Sequence, residues 1–183
     1  MATTLEYESK IRALGWDGLI GLWDAINLRN TIGWEPGKAF EYLVIRAFEL
    51  DGARVRWPYG VELFDSVVEQ IDGAVHLPDR SFLVESKDYD RDKVSIEPIA
   101  KLRNQLLRRP SGTAGVVFSR TGFTNSARLL AQFAVPQAIL LWSGWEVGYA
   151  VRRRTICEFL AIKYRYCVEH GLPDFNVREE EGS

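Results

Sequence analysis

Apolar positions along the chain change period several times, and each change marks an element. In "GWEPGKAFEYLVIRAFELDGARV", Pro36 and Gly37 punctuate the entry. Phe40, Leu43, Val44, Ala47 and Phe48 then recur at the 3.6-residue spacing of a helix, and Gly52 supplies its stop. Strand patterns follow around Ala53 to Trp57, Ser66 to Leu77 and Ser81 to Lys87, with "LPDRS" as the turn between the last two. Ser95 is placed to cap a helix running to about Arg109, where Pro110, Ser111 and Gly112 break it. "AGVVFS" reads as a buried strand, and "TGFTNSARLLAQF" as a turn and a helix capped by Thr124. "AILLW" is a further strand, "SGWEV" a turn, and residues 151 to 169 a last amphipathic helix ended by Gly171 and Pro173. A meander followed by strands alternating with helices predicts an α/β fold, a mixed β-sheet covered by helices on both faces.

Length and composition fit that picture. A chain of 183 residues, 46% hydrophobic and 26% charged, is expected to form a single domain with a substantial core. We divide it into an N-terminal helical extension (1–34), a core (35–150), and a C-terminal helix with a flexible tail, "REEEGS" (151–183). A formal net charge of -2 and a pI of about 5.8 give no global excess of positive charge for a polyanion. Two cysteines, Cys157 and Cys167, do not make a disulfide framework. "MATTLEYESK" has no secretory pattern, and the most apolar window is interrupted by Pro136, Gln137, Gly144 and Glu146. No membrane span and a cytoplasmic setting are therefore expected.

The chemistry-bearing stretch is "EQIDGAVHLPDRSFLVESKDYD". Alternation along a strand points Glu85 and Lys87 to one face, above Leu83. A hairpin brings neighbouring strands to within about 5 Å, so Asp72 and Glu85 can converge on one hard cation. The Ser86 carbonyl between Glu85 and Lys87 is a candidate third ligand. Lys87 would then orient a water and stabilise developing negative charge. The alternative is an ordinary surface ion pair.

The helix with "FEYLV", then "IDG", then "ESK", resembles the PD-(D/E)XK nuclease superfamily, the restriction-endonuclease-like fold, and more closely its Mrr-like branch. "GVVFSRTGFTNSA" and "ILLWSGWEV" resemble later segments of that branch, and the likeness covers roughly residues 35 to 148. It implies a Mg2+-dependent endonuclease, with Mn2+ as a substitute, acting on DNA in preference to RNA. Asp72 and Glu85 are then metal ligands with Ser86, Lys87 the catalytic lysine and Glu41 an accessory acid on the helix. Many nucleases of this fold pair two active sites, which implies a homodimer. The chain departs from the pattern in having Ile71 where the superfamily's name has proline, and Glu85 where the branch often has glutamine.

Other polar residues have two readings. Glu41 is either that accessory acid or a helix residue pairing with Lys38 or Arg46. Gln70, Ser119 and Thr121 are candidates for substrate contact, or strand and turn residues. Asp88 and Asp90 read as a solvated charge run, and Lys101, Arg103, Arg108 and Arg109 as a basic set spread around their helix, part of it facing a phosphate backbone or all of it solvated. Arg152 to Arg154 are expected to begin the last helix, an unfavourable end for positive charge. A competing functional reading is a nucleic-acid-binding or assembly subunit without catalysis.

Overall fold

Residues 3–182 are described by a computed structural model. Three helices lead: α1 (Thr4–Arg12), α2 (Trp16–Asn27) and α3 (Lys38–Leu50). Thr3 and Glu6 close a capping box at the start of α1. α3 has the predicted apolar face, with Phe40, Leu43, Val44, Ala47 and Phe48 buried. Tyr7, Trp34, Tyr42 and Trp57 stack in a chain of rings that ties α1 to α3.

Seven strands follow: β1 (Arg54–Arg56), β2 (Tyr59–Leu63), β3 (Ser66–Ile71), β4 (Gly73–Leu77), β5 (Arg80–Lys87), β6 (Ala114–Ser119) and β7 (Ile139–Ser143). Five make a mixed sheet in the order β1-β4-β5-β6-β7, antiparallel as far as β5 and parallel from β5 to β7. The remaining helices are α4 (Ile96–Leu106), α5 (Asn125–Gln132), α6 (Gly144–Arg153) and α7 (Ile156–His170). α3, α6 and α7 pack on one face of the sheet, with α1 and α2 laid against α3 and α6, and α4 and α5 pack on the other.

The predicted strand Ser66 to Leu77 is in fact two. It breaks at Asp72: β3 folds back on β2 as a separate two-stranded ribbon, while β4 joins the main sheet. β2 was not among the expected strands, although Tyr59, Val61 and Leu63 alternate with Gly60 and Glu62 along it. Its turn uses Phe64 and Asp65 at φ 52° and 60°, the two positive φ values of a tight hairpin without glycine.

The segment "SGWEV" is a helix start and not a turn. The Ser143 side chain accepts from Glu146 N–H, and Glu146 returns the bond to the Ser143 backbone. α6 therefore ends at Arg153, and α7 begins after a left-handed Arg154 (φ 61°). Arg152 and Arg153 thus lie in the last turn of α6, where positive charge is favourable. Val177–Gly182 form a 3-10 helix with Val177 in the core; the tail read as flexible begins one residue later, and its Ser183 lies outside the described residues.

Candidate active site

β5 carries the chemistry. Phe82 and Val84 face the core beneath α3, while Leu83 faces α4. Alternation then sends Glu85 and Lys87 to the α4 side. The antiparallel register pairs Gly73 with Val84, so the next step sets Asp72 opposite Glu85. Gly73 lets the start of β4 pass close to α3 and β1, because a Cβ there would run into the Ile45 side chain and sit 3.1 Å from the Arg56 carbonyl.

The hydrogen bonds fix the set. Ser86 N–H donates to Asp72 Oδ2 at 2.8 Å. A residue's N–H and C=O point to the same side of a strand, so the Ser86 carbonyl faces Asp72 as well. Lys87 Nζ lies 2.5 Å from Glu85 Oε1, and Glu85 is 0% exposed. Burial drives the Asp72 carboxyl above its usual range, and the Glu85 charge adds to this; Lys87 and the Ser86 N–H offset only part. Burial by itself would lower Lys87, but Glu85 and Asp72 outweigh it and the net direction is upward. Lys87 is therefore an ammonium at neutral pH, suited to orienting and stabilising and not to taking a proton.

Glu41 reaches the same region from α3. It is buried, and Lys38 Nζ donates to both its oxygens at 3.0 and 2.8 Å, so the pairing with Lys38 is present. Desolvation, followed by the Asp72 charge, raises its carboxyl to about 7, with Lys38 and Lys87 opposing. It thus shares the field of the site as well as the ion pair.

Other expectations change. Ser119 is fully buried, and its hydroxyl donates to the Gly122 carbonyl at 2.8 Å, so it braces a turn. Thr121 Oγ1 donates to the Asp92 carbonyl at 2.6 Å. Gln70 is exposed on the ribbon, and its carbonyl accepts from Gln105 Nε2 at 3.1 Å. None of the three is brought to Asp72 and Glu85. Asp88 is not a solvated charge: its side chain is 7% exposed and bonded to Arg29 at 2.7 Å and Arg120 at 2.5 Å. The helix ends at Leu106, short of the expected Arg109, and Arg108 and Arg109 in the turn after it both pair with the buried Glu69 and pin the ribbon there.

The residue missed was Lys101. Its Nζ donates to Glu85 at 3.1 and 2.8 Å. The signal was its spacing: three residues after buried Pro98 and four before buried Gln105, it flanks the apolar stripe that α4 lays on the sheet.

Among the described residues, no group of three or more His, Cys, Asp and Glu side chains gathers as a metal-binding cluster. The donor set is smaller and harder: two opposed carboxylates and one carbonyl. The poorly compensated charge on Asp72 fits a hard divalent cation that completes its shell with water and phosphate oxygens.

A mixed sheet sandwiched by helices, with an acid–acid–lysine set at the carboxyl end of a central strand, defines a restriction-endonuclease-like α/β domain. The Mrr_cat restriction endonuclease family matches residues 35–148, more than half of the chain, and the protein belongs to that family. No curated protein matches it. Two solved structures are similar to it. One is a protein of unknown function, AF1548, with 18% identity, a TM-score of 0.46 and 56% of each chain covered. The other is the MspJI restriction endonuclease in complex with a 27-mer oligonucleotide, with 19% identity, a TM-score of 0.44, and 85% of this chain but 34% of that one covered. The chain therefore spans about half the length of the first and a third of the second.

Proposed function

We propose that the protein is a divalent-metal-dependent endonuclease, using Mg2+ or Mn2+, that hydrolyses phosphodiester bonds of DNA. The observation that carries this reading is the opposition of Asp72 and Glu85 across two strands, with Ser86 N–H bonded to one and the Lys87 ammonium to the other. Asp72, Glu85 and the Ser86 carbonyl would hold the cation, which supplies charge neutralisation at phosphate and a more acidic bound water. Glu85 holds Lys87 over the site, and Lys87 stabilises the negative charge that builds on the phosphate oxygens. The backbone bond from Ser86 fixes the rotamer of Asp72, so the acid is oriented before substrate arrives.

Plasmid DNA incubated with the protein and Mg2+ is expected to be nicked or linearised. Asp72→Ala and Lys87→Ala should each reduce the rate by about a hundredfold or more, the scale of losing a charge-stabilising group. Only Asp72→Ala should also remove the thermal shift caused by the cation. Cleavage that persists in both variants would refute the assignment.

A further inference from the structure

Glu85 is a fully buried carboxylate with two ammonium groups on it. Lys87 rises from the same strand and touches Oε1 at 2.5 Å. Lys101 comes from α4, and its Nζ spans both oxygens at 3.1 and 2.8 Å. The two differ in freedom. The Lys87 side chain is 25% exposed and anchored beside Glu85, whereas that of Lys101 is 42% exposed at the end of a flexible stem.

We infer that Lys101 occupies the cation's place at Glu85 and must leave for a divalent ion to bind, which makes Lys101 a positioning residue that sets metal affinity. This rests on the nuclease reading above. Two carboxylates, Asp72 and Glu85, face two ammonium groups, Lys87 and Lys101, so the site is neutral as it stands. A divalent ion added with both lysines in place would leave it with an excess of two positive charges around a buried carboxylate. Displacing Lys101 halves that excess and frees Glu85 Oε2 without backbone movement, while Lys87 stays on Oε1. The released ammonium is then available to a phosphate of the substrate, so DNA draws away the group that competes with the metal. Metal loading of the free protein should accordingly be weak, and loading in the presence of DNA stronger.

Calorimetric titration of the DNA-free protein with Mn2+ tests this. Lys101→Met keeps the stem and removes the charge, and should bind Mn2+ about tenfold more tightly than wild type by loss of a nearby like charge. Lys101→Arg keeps the charge and should stay near wild type, and Lys101→Gln replaces the Met variant if that one does not fold. A purely structural lysine would give weaker or unchanged binding on removal. If the Met or Gln variant binds Mn2+ no more tightly than wild type, while Asp72→Ala abolishes binding, the Lys101 inference falls and the nuclease reading stands. If neither wild type nor variant takes up Mn2+, both fall.

Discussion

Glu41 shows how one burial event sets a residue's behaviour. Its carboxyl is raised to about 7 by burial and by Asp72, against an ordinary value of 4.5. The proton is held more tightly in the folded state than in the unfolded chain. Its stabilising effect is therefore complete below about 4.5 and is lost as pH rises through 7. Over that window the wild type should lose on the order of 3 kcal/mol through this group. Glu41→Gln stays neutral throughout, so urea unfolding at pH 5 and pH 8 should show a flatter stability profile for the variant. Parallel profiles would mean that Glu41 is not desolvated as the structure has it.

Elements beyond the site hold the strands in register. α7 sends Lys163, 0% exposed, to Glu146 at 2.9 Å and to the Phe175 carbonyl. Glu146 also caps α6 through both the backbone N–H and the hydroxyl of Ser143, each at 2.9 Å. Removing one member leaves a buried charge alone, so Lys163→Met should cost about 3–5 kcal/mol. Adding Glu146→Gln keeps the cap while removing the orphaned charge, and should recover much of that loss in denaturant unfolding. No recovery in the double variant would show that Lys163 acts through packing alone. Gly144, the first residue of α6, lies directly on the Arg120 backbone, and a Cβ would overlap its carbonyl. Gly144→Ala should therefore lower the melting temperature far more than Ser143→Ala, whose lost cap costs about 1 kcal/mol.

At the scale of the whole molecule, six cations are committed to three buried acids. Arg108 and Arg109 serve Glu69, Lys101 and Lys87 serve Glu85, and Arg29 and Arg120 serve Asp88. Together with a formal net charge of -2, this leaves little positive field to attract a duplex. Binding to duplex DNA without a divalent ion should be weak, with a log–log salt slope shallower than about -3, equivalent to roughly three phosphate contacts. Anisotropy titrations between 50 and 200 mM salt, with and without Ca2+, would measure it. A steep slope without Ca2+ would reveal a basic surface that these pairings do not predict.

Period and punctuation alone determined α3, the strands β6 and β7, the Thr124 cap and the alternation of strand and helix from α4 to β7, because burial on one face writes itself into local spacing. The facing of Asp72 and Glu85 was also legible, since a hairpin with a recognisable turn fixes its own register. What the sequence left open was decided by contacts distant along the chain. The break at Asp72 depends on β4 choosing β1 and β5 while β3 chooses β2. Asp88 became a buried ion pair because Arg29 and Arg120 arrive from other elements, and Lys101 reached Glu85 only because α4 lies across β5. Spacing along α4 places Lys101 at the edge of an apolar stripe, but which carboxylate it meets is set only when the chain folds.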